Sequence, residues 1–159
     1  MANLTVVTVG SLKEGYLREA VAEYKKRLSQ YARVDEIEIK EERINNEDNR
    51  AEIEVALARE ADKILAAMPK DSYKIALCVE GKQHTSEELA RIIGEGCDKG
   101  GKISLVIGSS YGLSEKVKRE CDVRLSFSKL TFPHQLMKVI LFESLYRSFT
   151  ILHGKRYHK

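Results

Sequence analysis

Three features that mark large classes of protein are missing from this sequence. The three cysteines are widely spaced and form no Cys-x-x-Cys pair, so neither a disulfide framework nor a zinc ribbon is predicted. No two of the four histidines lie three or four residues apart, and we therefore expect no metal site. No run approaches the roughly 20 apolar residues of a membrane span, and the first residues lack the pattern of a signal peptide. These absences lead us to expect a cytoplasmic protein.

Motifs for binding nucleotide phosphates are missing as well. The chain contains no Walker loop and no Gly-x-Gly-x-x-Gly sequence. Its first predicted strand runs into Val9-Gly10-Ser11 without a second glycine, which argues against the usual nucleotide-binding half of a Rossmann domain. Gly108-Ser-Ser-Tyr-Gly112 follows a strand and precedes a helix, so its backbone could approach a ligand, but an ordinary tight turn fits it equally well. Any ligand is therefore expected to bind late in the chain.

The positive charge of the chain is concentrated near its C-terminus. Residues 129–159 carry six Lys and Arg residues against one acid, Glu143, a balance of +5; the other 21 Lys and Arg residues face 23 acids, a balance of −2. A basic excess confined to one terminus is a local footprint for a polyanion, although a solvated tail would look the same. The length and the 43% hydrophobic content indicate a single domain over residues 1–159.

Strand and helix patterns alternate along the chain. Charges at positions 35, 36 and 38 place the second strand near a sheet edge. The second helix should end before Pro69, and Thr85-Ser-Glu-Glu88 fits a capping box at the start of the third helix. The predicted strands cover residues 4–9, 34–39, 73–79, 103–107 and 123–127, and the predicted helices cover 13–29, 53–68, a segment opening at 85, a short segment after Ser114, and 134–152.

This alternation predicts an α/β fold with a mainly parallel sheet between helices. Ligands of such sheets lie beyond the carboxyl ends of the strands. The candidate pocket is therefore formed by the loops at Gly81, Gly108–Gly112 and Phe127–Pro133. The exposed backbone and the two phenylalanines of the last loop could enclose a flat heterocycle.

The last helix is apolar around more than one face. It is either buried within one subunit or shares its second face with another copy, and the second arrangement predicts a homodimer. Polar groups on and after it are candidates for chemistry, although a lone histidine is more often structural: His134, Arg147, Tyr157 and His158.

Several ordered motifs carry a more specific signal than any of them alone. They are Leu77-x-x-x-Gly81-Lys82, Val106-Ile107-Gly108-x-x-x-Gly112-Leu113, Leu125-Ser-Phe-Ser-Lys-Leu-Thr-Phe-Pro-His134, Leu145-Tyr146-Arg147 and Tyr157-His158-Lys159. Together they resemble the SPOUT-class methyltransferase family that modifies N3 of a pseudouridine in large-subunit ribosomal RNA. The resemblance spans essentially the whole chain.

That resemblance implies a SPOUT-type α/β knot, a deep C-terminal trefoil knot in which the last segment threads through a loop. It also implies S-adenosylmethionine as cofactor, a homodimer with its sites at the subunit boundary, and ribosomal RNA or the ribosome as partner. The cofactor-binding residues carried over are Leu77, Gly108, Phe127, Ser128, Lys129, Leu130, Thr131 and Phe132. The basic residues expected to contact RNA phosphates are Lys155, Arg156 and Lys159.

The predicted reaction is methyl transfer to a ring nitrogen that must also lose a proton. His158 or His134 is the candidate base, and Arg147 and Tyr157 would position RNA or stabilise charge. The chain departs from the family pattern at four positions. It has Ser109 where the family usually has glycine, Cys78 in place of an acid, Leu130 in place of methionine and Lys138 in place of arginine.

Two alternatives stay open at this point. A non-catalytic RNA-binding module could retain the fold, and a small-molecule nucleotide enzyme would need no basic tail. The sequence leaves open the nucleotide modified, whether the ribosome must be assembled, the identity of the proton acceptor and the effect of Ser109 on the cofactor loop.

Overall fold

The computed structural model describes residues 1–159, and strands and helices alternate along all of it. The strands are β1 (Ala2–Val9), β2 (Ala32–Ile39), β3 (Tyr73–Gln83), β4 (Lys102–Ile107) and β5 (Val123–Ser126). The helices are α1 (Gly15–Leu28), α2 (Arg50–Ala67), α3 (Ser86–Asp98), α4 (Glu115–Glu120) and α5 (His134–Leu152). All ten predicted elements are present.

The five strands form one sheet in the order β2-β1-β4-β3-β5, and every neighbouring pair is parallel. The predicted parallel α/β sheet is therefore confirmed. Strand β2 lies at an edge, as its charges indicated, because Asp35 and Glu38 are exposed there and keep their hydration. Strand β4 is buried in five of its six residues, which its continuous apolar run requires.

Local sequence signals account for several helix starts. The Thr85 hydroxyl accepts from the Glu88 backbone N–H (3.1 Å) and the Glu88 carboxylate accepts from the Thr85 N–H (2.8 Å), so the predicted capping box is formed. Asn49 caps α2 in the same manner through its side chain. Pro133 precedes α5, where its fixed φ and missing N–H cost nothing.

The sheet has an apolar core on each face. Helices α1, α3 and α5 pack together on one face, and α2 and α4 contact each other on the other. On the first face Leu141, Phe142 and Leu145 of α5 are fully buried against residues from β1, β3 and β4. Each such side chain contributes roughly 1.5–3 kcal/mol of hydrophobic stabilisation. Helix α5 is thus the central helix of the larger core.

A buried ion pair fixes the first half of α5 against the edge strand. The ammonium of Lys138 is 3.0 Å from a carboxylate oxygen of Glu36 on β2, and Glu36 also binds Lys25 of α1. Burial alone would raise the pKa of Glu36, but the hydrogen bonds from Lys25 and Lys138 outweigh it and lower that pKa. A lysine at position 138 can therefore form this ion pair, although the family usually has arginine there.

Strand β3 differs from its prediction in a way that matters for the site. It was predicted to end at residue 79, but Leu77 and Lys82 both pair with Leu125, so residues 78–81 bulge out before the pairing resumes. Gly81 lies at the close approach of the two strands: a Cβ there would be 2.8 Å from the Arg124 carbonyl carbon.

No helix is both long enough and apolar enough to cross a membrane.

Candidate functional site

A cavity with a volume of about 680 Å³ lies at the carboxyl ends of β3, β4 and β5. Its walls are the bulge of β3, the loop after β4, the loop after β5 and the start of α5. A small organic ligand needs roughly 300–1,000 Å³. Two of the three predicted loops form this ligand cavity. At the third, Gly81 packs against β5, and its neighbours Val79 and Glu80 line the wall instead.

Most of the predicted cofactor-binding residues line this cavity. Those on its wall are Leu77, Gly108, Phe127, Ser128, Leu130, Thr131 and Phe132. Lys129 is the exception, because it is exposed at the centre of a tight turn closed by the Leu130 N–H donating to the Ser128 hydroxyl (3.0 Å). Its side chain therefore points away from the wall.

Gly108 is needed because its neighbours leave no room for a side chain. A Cβ at Gly108 would lie 2.6 Å from the Gly112 carbonyl carbon and 3.0 Å from Leu113. The loop closes so tightly on itself, with the Gly112 N–H donating to the Ser109 carbonyl (2.9 Å), that no other residue fits without moving it. Ser109 is buried in this turn.

The loop after β5 offers hydrogen-bonding groups to a ligand. The backbone N–H groups of Lys129, Thr131 and Phe132 donate to no other group of the chain. Such donors need a partner, either water or a polar ligand. With apolar side chains beside them, they fit a flat heterocycle whose ring nitrogens accept hydrogen bonds. The residues present therefore fit a nucleoside-containing cofactor.

One ion pair that no sequence pattern indicated lies on the cavity wall. The side chain of Lys118 on α4 is 11% exposed, and its ammonium binds the carboxylate of Glu80 in the bulge. The same ammonium lies 3.4 Å from a carboxylate oxygen of Glu115. Burial alone would lower the pKa of Lys118, but the Glu80 carboxylate outweighs it and raises that pKa. The same hydrogen bond lowers the pKa of Glu80. This pair ties the β3 bulge to α4.

His134 is the predicted catalytic residue that lies at the cavity. It opens α5 and lines the wall beside Pro133 and Met137. Its ring lies above Gly10 at the end of β1, where a Cβ would be 3.3 Å from His134 Nε2. The glycine after β1 thus leaves room for the imidazole.

The other predicted catalytic residues form a separate group, the tail cluster, which consists of Glu87, Glu143, Arg147, Tyr157 and His158. Arg147 donates to one Glu143 oxygen through Nε (3.0 Å) and Nη2 (2.5 Å), and the Tyr157 hydroxyl donates to the same oxygen (3.0 Å). The Arg147 guanidinium also stacks on the Tyr157 ring at 4.7 Å. Glu143 was noticed only as the lone acid of its segment; its position four residues before Arg147 is the signal that pairs them.

The environment of Tyr157 excludes one role. Burial and the hydrogen bond to Glu143 raise the pKa of Tyr157 to about 12. Its phenol is therefore protonated near neutral pH and acts as a donor. This agrees with the predicted positioning role and argues against proton abstraction by Tyr157.

The tail cluster and the cavity are far apart within one chain. Thirteen residues of α5 separate His134 from Arg147, about 20 Å at the helical rise of 1.5 Å per residue. No member of the tail cluster lines the cavity. The predicted RNA-contacting residues Lys155, Arg156 and Lys159 are exposed near the cluster in the chain.

Helix α5 also leaves apolar side chains uncovered. Leu136 is 39% and Leu152 41% exposed. The apolar stripe of α5 consists of Leu136 and Ile140. It leads to the tail cluster, because Glu143 and Arg147 continue the same three- and four-residue spacing.

No group of three or more His, Cys, Asp or Glu side chains is placed to hold a metal ion.

A parallel sheet with a mixed apolar and polar cavity at its carboxyl edge defines an α/β protein built to bind an organic cofactor or substrate. A family model described as a predicted SPOUT methyltransferase matches residues 2–158. The chain belongs to the SPOUT methyltransferase family.

Relatives along the full length carry a more specific name. The ribosomal RNA large subunit methyltransferase H of Shouchella clausii is 48% identical over 158 residues, 99% of both chains. The protein of the same name from Exiguobacterium sp. is 46% identical over 158 residues, again 99% of both chains. That of Caldicellulosiruptor saccharolyticus is 44% identical over 156 residues, 98% of this chain and 99% of the relative.

Proposed function

We propose that this chain is an S-adenosylmethionine-dependent methyltransferase that methylates N3 of a pseudouridine in large-subunit ribosomal RNA, with the assembled ribosome as substrate. The observation that carries the proposal is the coincidence of a full-length family match with a cavity at the residues that the family motif assigns to the cofactor. The chain acts as a single domain in the cytoplasm.

The cofactor fits the cavity through the loop after β5. The free N–H groups of Lys129, Thr131 and Phe132 would donate to adenine, and Leu77, Phe127 and Leu130 would cover its faces. When bound, S-adenosylmethionine supplies an electrophilic methyl group on a sulfonium. The protein needs no covalent nucleophile, because alignment of donor and acceptor supplies much of the rate acceleration.

The acceptor nitrogen must lose its proton when its electron pair bonds to the methyl carbon. A histidine takes the proton, and a guanidinium stabilises negative charge on the neighbouring ring oxygen. His134 is at the cavity, whereas Arg147 is about 20 Å away along α5 and lies in the tail cluster with His158. In one chain, the residues proposed to bind the cofactor and the tail-cluster residues proposed to react therefore lie in different regions.

A homodimer resolves this separation. Packing of the apolar stripe of α5 on a second copy would cover Leu136 and Ile140 and bring the tail cluster of one subunit to the cavity of its partner. We propose that the C-terminal segment threads through a loop to form the knot, as the family resemblance implies.

RNA would be held on a surface that both subunits form. Lys155, Arg156 and Lys159 would contact phosphates, and an exposed base would reach the cavity between the subunits. The chain carries no separate RNA-binding element in its ten strands and helices, so the shape of a folded substrate must supply much of the specificity.

The test is to incubate the full chain and labelled S-adenosylmethionine with ribosomes that carry unmethylated pseudouridine, and to locate the label by mass spectrometry. We expect one methyl group at N3 of a single pseudouridine. Cofactor binding by calorimetry without methyl transfer would favour the non-catalytic RNA-binding module. Methylation of a free nucleotide would favour the small-molecule enzyme.

A further inference from the structure

The imidazole of His158 is held from both sides by groups on two different helices. Its Nδ1 lies 3.1 Å from Nη1 of Arg147 on α5, and its Nε2 lies 2.8 Å from Oε1 of Glu87 on α3. These contacts determine how the ring is protonated, because the two neighbours have opposite chemistry.

An arginine guanidinium can only donate hydrogen bonds. Nδ1 of His158 must therefore accept, and it carries a lone pair. The ring proton of the neutral imidazole is then on Nε2, which donates to the Glu87 carboxylate. A carboxylate that takes one ring N–H and leaves the other nitrogen as a base is the arrangement by which acids orient catalytic histidines.

Glu87 is placed for this contact by the start of α3. It stands beside Glu88, whose carboxylate is already used in the capping box with Thr85. Its own backbone N–H and the hydrogen bond from His158 lower the pKa of Glu87, so it is ionised at neutral pH. Two adjacent glutamates of one helical turn thus have different tasks.

We infer that Glu87 is a positioning residue for methyl transfer, which acts by holding His158 in the form whose Nδ1 accepts the proton of the substrate. The inference rests on the proposed function. It assigns the proton acceptor to one atom, a choice that the sequence left open between His134 and His158.

The N3 proton of the base passes to Nδ1, the N3 electron pair forms the bond to the methyl carbon, and the carbon–sulfur bond breaks with its electrons left on sulfur. Arg147 must leave Nδ1 before this, and its guanidinium is then free for the charge that develops on the ring oxygen. The resulting imidazolium lies against the negative charge of Glu87, and its proton later passes to water.

The first test compares Glu87→Ala, Glu87→Gln and the matched control Glu88→Gln in the full-length dimer. Glu88→Gln removes the same charge one position along and keeps a capping-box side chain. Methyl transfer to ribosomes is measured as kcat and KM. We expect Glu87→Ala to lower kcat by at least about tenfold with KM little changed, since general-base catalysis contributes roughly 10²–10⁴-fold.

Glu87→Gln should lose less, because its amide oxygen still accepts from Nε2 but carries no charge. Glu88→Gln should match the wild type. In a His158→Ala background, Glu87→Ala should cause no further loss of kcat, since Glu87 acts only through that ring. An independent further loss there, or an unchanged kcat in Glu87→Ala, would overturn the inference.

A second measurement needs no activity. Nitrogen-15 NMR of the imidazoles in the free protein should show a lone-pair signal for His158 Nδ1 and a protonated signal for Nε2, and Glu87→Ala should weaken that preference. A proton on Nδ1 in the wild type would overturn the inference even if ribosomes are methylated. If the wild type methylates nothing, the proposed function fails, and this experiment still reports on the contact itself.

Discussion

The two ends of α5 differ in how they are built. At its start, the ligand cavity is made of loops, apolar walls and backbone N–H groups with no partner in the chain. At its end, the tail cluster is made of charged and aromatic side chains that bind one another, with Glu143 accepting from both Arg147 and Tyr157. Under the proposed function, the first region would receive the cofactor and the second would hold reactive groups in place.

The difference shows why a single copy of this chain is an incomplete enzyme under the proposed function. The cavity would bind the cofactor and has His134 on its wall, whereas the tail cluster would supply Arg147 and His158. Variants at each end of α5 can test whether the two regions are separable in one chain and joined between two.

The strongest test removes the tail. Deletion of Tyr157 to Lys159 leaves the cavity and the buried face of α5 untouched, so S-adenosylmethionine binding and dimerisation should persist. Methyl transfer should fall by at least about 100-fold, because the proposed general base His158 is lost. Calorimetry, sedimentation and the ribosome assay measure the three properties. Loss of cofactor binding would mean that the two regions are not separable.

Mixed dimers sharpen this comparison. One subunit carries the tail deletion and the other carries Gly108→Val, whose side chain would collide with the Gly112 carbonyl and deform the cofactor loop. If the tail acts on the partner, one intact cavity meets one intact tail and activity returns to about half of the wild-type dimer. Verified mixed dimers that stay inactive would exclude this arrangement.

The cavity end should be the more sensitive to a small added group. Gly81→Ala would place a methyl 2.8 Å from the Arg124 carbonyl carbon, and we expect it to lower the free energy of unfolding by about 1–3 kcal/mol. Gly15→Ala is the control, because its Cβ has only a 3.9 Å contact with Arg18 at the start of α1. Denaturant unfolding of both variants measures the effect. Equal stability of the two variants would refute the close packing.

The Glu80–Lys118 pair on the cavity wall should give a smaller, pH-dependent effect. Lys118 lowers the pKa of Glu80, so the stabilisation is fully present above the unfolded value of 4.5 and is lost as pH falls through the lower folded value. Glu80 is 54% exposed, and solvent screening limits the contribution to about 1 kcal/mol. Glu80→Gln should therefore destabilise the protein at pH 7, and the difference should diminish as pH falls below 4.5. A pH-independent difference would contradict this account.

The smallest effect is expected from the exposed basic residues beside the tail cluster. Lys155→Ala with Arg156→Ala should weaken ribosome binding and reduce the slope of log affinity against log salt by about 1–2. Lys99→Ala with Lys102→Ala, on the opposite end of α3 and the start of β4, removes the same charge elsewhere. Binding titrations at several salt concentrations measure the slope. An equal slope in both double variants would show that the tail does not contact phosphates.

Local patterns were enough to predict the order of the elements. The three- and four-residue spacing in α1, the capping box of α3 and the apolar run of β4 act over a few residues, so they survive any tertiary arrangement. The parallel sheet followed from their alternation, and the loops near the ligand followed from the sheet. The cavity was thereby located before its shape was known.

The bulge of β3 could not be predicted, because it depends on which residues of β5 pair with β3. Leu77 and Lys82 both oppose Leu125, and no signal within residues 77–82 announces that register. The same holds for Lys118, which has the pattern of a surface residue in a short helix but is buried by Glu80 and the bulge. The role of Gly108 also depended on a contact, that with Gly112.

The sequence by itself determined which residue types are available for chemistry and at which end of the sheet a ligand binds, because spacing and strand order are local properties. Only the tertiary structure decided that His134 lies at the cavity and that Tyr157 and His158 contact Arg147, about 20 Å from His134 along α5. It also brought Glu87, 71 positions away in the chain, within 2.8 Å of His158. The contact between Glu87 and His158 depends on the packing of α3 on α5, which residue spacing along the chain does not predict.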